Sequence, residues 1–82
     1  MSNWKNQLTE ILVTVIGKNF FWSINDFENI IGRKVTDHND EMEIAEAVLT
    51  RRPDCSAFYF GSTLLFGDTK EMEDFIFDYR GF

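Results

Sequence analysis

The sequence is short of most features that a secreted, membrane-spanning or nucleic-acid-binding protein relies on. It has one cysteine, Cys55. That excludes an internal disulfide framework and a Cys-based zinc site, and it suits a reducing, cytoplasmic setting. No stretch approaches the roughly 20 apolar residues of a membrane span, so no membrane association is expected. Met1 to Gly17 lacks a basic cluster at its start, and polar residues interrupt its apolar ones, so it does not read as a secretory signal. Basic residues are few: 8 Lys and Arg stand against 14 Asp and Glu, for a net charge of −6. A free nucleic-acid binder draws its affinity from Lys and Arg that displace counterions from phosphates. The balance here argues against direct nucleic-acid binding. It serves solubility, or it addresses a basic partner. No Gly-rich phosphate loop is present.

What the chain has in abundance is aromatic side chains. Its 82 residues make one domain, 1–82, and include nine Phe, two Trp and two Tyr. A chain this short buries only about 60% of its unfolded surface. Each aromatic covers roughly 150–250 Å², which compensates for a small core. The load exceeds what such a core hides, so one or two aromatics are expected at the surface, where an apolar patch marks an interaction site.

The stretch from Cys55 to Tyr79 organises the rest. Cys55-Ser-Ala-Phe-Tyr-Phe60 and Thr63-Leu-Leu-Phe66 are β-favouring runs separated by Gly61-Ser62. Gly at the first turn position permits the positive φ of a type II′ turn, so a two-residue β-hairpin is predicted. Both faces of the hairpin are apolar, with Phe58, Phe60, Leu64, Leu65 and Phe66 as scaffold, and other elements must cover both. Gly67 is expected to turn the chain. Asp68 or Thr69 then caps a last helix, with Glu71 completing a capping box, and Met72, Phe75, Ile76 and Tyr79 share one face before Gly81 and Phe82.

The preceding elements read as covers for the hairpin. Trp4, Leu8, Ile11, Leu12, Val15 and Ile16 recur at helical spacing, with Ser2 as cap and Gly17 as stop. Phe20 to Trp22 is a short strand that pairs with an edge of the hairpin. Ser23 opens a second helix, helped by Asp26 and by a Trp22–Phe27 staple. Ile24, Phe27, Ile30 and Ile31 form its buried face, and Gly32 ends it. Arg33 to Asn39 is a polar connection anchored by Val35. A third helix begins between Thr36 and Asp40, buries Ile44, Ala45, Val48 and Leu49, and stops at Pro53. The class is α+β: three N-terminal helices with a short strand, a β-hairpin and a C-terminal helix.

This order, from Ser2 to Gly67, resembles the winged helix-turn-helix fold, with Gly32 closing the first helix of the pair. The long Arg33–Asn39 turn departs from the compact form. The resemblance implies a helix from about Asp37 to Arg52 in the major groove, hence a DNA-binding transcriptional regulator as the alternative function. Such a helix should offer Arg, Lys, Asn or Gln to base edges. This one offers Glu43 and Glu46, with Asp40 and Glu41 in its first turn. Arg33, Lys34, Arg51 and Arg52 bracket it as the available phosphate contacts, and the wing tip Gly61-Ser62 carries no charge.

Phe77 falls opposite the apolar face of the last helix, among Glu73, Asp74 and Asp78. An aromatic ringed by carboxylates is the pattern of an interface anchor with a polar rim. The carboxylates form two groups, Asp37–Glu46 and Asp68–Asp78. Gathered on one side, they would imitate the spaced charge of a nucleic-acid backbone and occupy the basic groove of a nucleic-acid enzyme. Ordinary solvated helix faces would carry the same charges. Asp37-His-Asn-Asp-Glu-Met-Glu43 alternates acids and amides as a calcium loop does. It lacks the Gly at the sixth position and has Val48 in place of the final Glu, so no metal is assigned. His38 has no Ser or Cys nucleophile placed beside it by a motif, and Cys55 reads as inert.

The sequence therefore predicts a non-enzymatic protein-binding module with no cofactor, an inhibitor or modulator of a larger basic, nucleic-acid-handling partner. Glu43, Glu46, Glu73, Asp74, Phe77 and Asp78 are the contact residues, and a second copy of the chain is a further candidate partner. In size and charge it is similar to the small acidic host-takeover and anti-defence proteins of phages and mobile elements.

Overall fold

The computed structural model describes residues 3–17 and 20–79. Ser2, Gly81 and Phe82, and the side chain of Tyr79, lie outside the described residues. Helix α1 (Asn3–Val15) buries Leu8 and Leu12 completely, and Ile16 continues its buried stripe. Trp4, Ile11 and Val15 pack against the same cluster, as the helical spacing predicts.

The first strand is β1 (Trp22–Ser23), which starts two residues later and ends one residue later than the Phe20–Trp22 strand that the sequence suggests. Its place is fixed by pairing, Trp22 with Phe66 and Ser23 with Leu65. Phe20 lies outside the ladder and is exposed. Ser23 then opens a 3-10 turn (Ile24–Phe27) that runs into a single α-turn, α2 (Glu28–Ile31). The Ser23 amide donates to Asp26 Oδ2 at 2.8 Å, and the Trp22 and Phe27 rings meet at 5.4 Å, so the staple forms. Gly32 closes α2 with φ 75°, a left-handed conformation that glycine adopts without strain. Ile30 does not join the buried face: it is 61% exposed. A 3-10 turn sets Ile24 and Phe27 one above the other, and Ile30 falls to the side of that line.

The Arg33–Asn39 connection is tied down by Glu28, whose Oε2 accepts the Val35 amide at 2.9 Å while Val35 itself is buried. Helix α3 (His38–Arg51) follows, capped by Asp37, whose carboxylate accepts the amides of Asn39 and Asp40. Ile44, Ala45 and Val48 are its buried stripe.

Strands β2 (Cys55–Phe60) and β3 (Thr63–Asp68) pair from Phe60–Thr63 back to Cys55–Asp68. Only Gly61 of the two turn residues has positive φ, at 66°, which is the type II′ signature. Gly67 does not turn the chain. It lies inside β3 opposite Ser56, and a Cβ there would sit 2.5 Å from Cδ1 of Phe21. The glycine is needed for close approach, not for bending.

The sheet order is β1-β3-β2, all antiparallel. The pleat sends alternate residues to opposite faces. Cys55, Leu64 and Phe66 face the buried cluster of α1, α2 and α3. The other face presents Phe58, Phe60 and Gly67 to α4 (Thr69–Tyr79). There Met72 is buried beside Gly67, and the Phe75 ring lies 5.1 Å from Phe21, 6.3 Å from Phe58 and 5.7 Å from Phe60. Both apolar faces of the hairpin are thus covered, by three helices on one side and one on the other. The architecture is α+β, with element order and sheet order compatible with a winged-helix-like arrangement.

Candidate functional site

Helix α4 is launched by Asp68, whose Oδ2 accepts the Glu71 amide at 3.2 Å. Met72 and Phe75 hold one side of it against the sheet, which turns Glu73, Asp74, Phe77 and Asp78 outward, all exposed. Positions three and four apart on a helix are neighbours, so Glu73 and Asp74 precede the Phe77 ring by one turn and Asp78 sits beside it. Phe77 keeps 57% of its surface open. Lys70 reaches Asp74 Oδ1 at 2.8 Å, and this bond, more than the general field of the acids, raises the lysine's pKa. An apolar ring is thereby displayed in a rim of carboxylates.

Glu43 and Glu46 are also exposed, but on α3. That helix packs on the sheet face opposite to α4. The structure brings Glu73, Asp74, Phe77 and Asp78 together and leaves Glu43 and Glu46 on the other side. Glu43 is further engaged within the fold: Lys5 of α1 bridges Asp40 at 2.8 Å and Glu43 at 2.9 Å. The bond to Asp40, then that to Glu43, raises the Lys5 pKa. Glu46 lines a shallow groove with Ala47, Thr50 and Arg51.

Three of the four cations that bracket α3, Arg33, Arg51 and Arg52, are structural ties, while Lys34 is exposed. Arg51 is paired with Glu10. Arg52 donates to Asp54 through Nε at 3.1 Å and Nη2 at 3.0 Å, and to the Val13 carbonyl at 2.6 Å. The Arg33 guanidinium lies 4.3 Å from the centre of the Trp4 ring, within cation–π range. Arg52 therefore joins the end of α1 to the end of α3, a role hidden from a reading of local sequence.

A second polar cluster escaped the sequence. Tyr59 of β2 donates its hydroxyl to Glu41 Oε1 at 2.9 Å and meets His38 Nδ1 at 3.0 Å, with its ring stacked on the imidazole. Desolvation, then the bond to Glu41, holds the phenol above its ordinary pKa, so it stays a neutral donor. The signal was the strand period, which puts Tyr59 on the face of Cys55 and Ala57, towards α3. Residues 38–43 are the first turns of α3, not a loop. The Cys55 thiol is buried, and burial raises its pKa, so it remains protonated at neutral pH. Among the described residues no helix is long and apolar enough to cross a membrane.

Comparison with protein-family models, with curated proteins and with solved structures finds no match for this chain.

Proposed function

We propose that this chain is a non-enzymatic protein-binding module that inhibits or modulates a larger partner with a basic surface, of the nucleic-acid-handling kind. The observation that carries the reading is Phe77, more than half open on the outward face of α4 and set among Glu73, Asp74 and Asp78. Buried aromatic anchors dominate interface energetics, and a carboxylate rim steers encounter with a basic surface and orients it. The charge balance supports it: 14 Asp and Glu stand against 8 Lys and Arg, so an acidic excess remains after Lys5, Arg51, Arg52 and Lys70 are paired with acids of the chain. Glu43 and Glu46, across the sheet, contribute to the long-range field and not to the Phe77 contact.

The framework is, on this reading, a winged-helix variant put to protein contact. The β1-β3-β2 order favours the winged-helix description. Use as a DNA reader is disfavoured by the acidic outward face of α3 and by the ties on Arg51 and Arg52.

The test is affinity capture from the native host, identification of the partner, and calorimetric titration of the purified pair. Phe77→Ala is expected to weaken the complex about tenfold or more while leaving the melting temperature nearly unchanged. Affinity is expected to fall with added salt. A Phe77→Ala protein that unfolds, or one that binds as tightly as the parent, would sink the assignment.

A further inference from the structure

We propose that the chain pairs with a second copy of itself along the outer edge of β2, making one continuous antiparallel sheet across the two copies. The sheet order leaves β2 with β3 on one side only. In a two-residue hairpin the closing pair, Phe60–Thr63, is hydrogen-bonded, and so are the alternate pairs Phe58–Leu65 and Ser56–Gly67. The N–H and C=O groups of Cys55, Ala57 and Tyr59 therefore point away from β3. The Cys55 amide is turned back to the Arg52 carbonyl at 3.0 Å. Among the described residues, no backbone hydrogen bond reaches the outward groups of Ala57 or Tyr59.

Proteins guard such an edge with lysine, proline, a bulge or a covering element. Residues 55–67 include no charged residue and no proline, and the β2–β3 register runs without a bulge. The net charge of −6 is carried wholly outside the segment that would pair.

The edge is also self-complementary. An isologous contact requires one strand to satisfy its own copy about a two-fold axis. With the axis at Phe58, Ala57 of each copy faces Tyr59 of the other, and both groups of both residues are satisfied. With the axis at Ala57, Tyr59 would instead face Cys55, whose amide is already engaged. The free groups select the first register. It sets the two Phe58 side chains opposite each other in a non-hydrogen-bonded pair, about 4.5 Å apart at Cα, beside the Phe75 rings. It also sets Phe60, 39% exposed, opposite Ser56 of the other copy. No like charges face each other across the ladder, and the remaining repulsion between two acidic bodies is screened by salt.

The experiment is sedimentation velocity over about a hundredfold range of concentration, at low and high salt, with amide hydrogen exchange followed by NMR. A monomer–dimer equilibrium that shifts to dimer with concentration and with salt is expected. The Ala57 and Tyr59 amides should gain protection as dimer forms, while those of Ser56 and Phe58, already bonded to β3, change little. Ala57→Pro removes an outward N–H and no β2–β3 bond, and is expected to raise the dimer dissociation constant about tenfold or more with the circular dichroism of the parent. Should that variant misfold, Tyr59→Lys sets a charge at the same edge and is expected to give the same loss. A chain that stays monomeric throughout overturns the proposal and leaves the edge to an extended segment of another protein. A dimer in which Ala57 and Tyr59 stay unprotected overturns it equally.

Discussion

Glu28 shows how much a single side chain can settle. Its Oε2 accepts the Val35 amide and the Asn25 side-chain amide, each at 2.9 Å. The Val35 bond is the main cause of a carboxyl pKa below the ordinary value. A carboxylate whose folded pKa is lowered stabilises the fold above its unfolded pKa, about 4.3 for Glu, and that contribution is lost as pH falls through the lower folded value. Glu28→Gln is therefore expected to be less stable than the parent at neutral pH and to lose less on acidification below about pH 4.3, as read from urea midpoints at both pH values. Equal pH dependence in the two proteins would remove this role. The sequence marks Val35 as an anchor and the segment as polar, but not the clasp. A carboxylate meeting an amide seven residues on has no periodic signature, since the intervening turn sets the distance. The Tyr59–His38–Glu41 cluster is legible only in part: the strand period turns Tyr59 towards α3, but packing decides that it meets His38 and Glu41 there.

Among the elements, those with local chemistry were legible. Asp68, Gly32 and the Gly61-Ser62 turn act through neighbours within a few residues, so their spacing declares them; for α3 the spacing places the start only between Thr36 and Asp40, and the structure selects Asp37 as the cap. Gly67 misleads because glycine has two uses. Read alone it is a turn; in the fold it is a strand residue whose missing Cβ admits the Phe21 ring. Gly67→Ala brings the better strand former of the two, yet it sets a methyl group 2.5 Å from Phe21 Cδ1. Overpacking of this kind costs about 1–3 kcal/mol, and a lower denaturant midpoint with an unchanged slope is the expected result. An unchanged midpoint would mean that Phe21 gives way freely. Ile30 is the other misreading: apolar spacing marks a face but not its width, and a helix begun by a 3-10 turn presents a narrow one.

For the molecule as a whole, the sequence counts charges without assigning them to sides. The two acidic groups, alike in composition, lie on opposite faces of the sheet. Of the basic residues that looked like phosphate contacts, Arg51 faces Glu10, Arg52 faces Asp54 and the Val13 carbonyl, and Arg33 faces Trp4. From this distribution the purified protein is expected not to retard duplex DNA even at low salt, where electrostatic binding is strongest. A gel-shift titration against a pool of genomic fragments checks this, and a salt-sensitive shift lost in Arg51→Ala or Arg52→Ala would restore the DNA-reading alternative. The α4 surface was legible in part: the helical wheel isolates Phe77 and its acids, and only the layered packing separates them from Glu43 and Glu46.

The central place of β3 bears on how the chain can be made. Trp22 lies far before it in the chain, but its strand partner is Phe66, and Leu8, Leu12, Ile44 and Val48 share their cluster with Leu64 and Phe66. Without β3, α1 and α3 have each other but no floor on which to lay their shared apolar stripes. Non-local pairing of this sort is costly to close. The apolar stripes of α1 and α3 are therefore expected to stay incompletely covered until the strand that every layer leans on is in place.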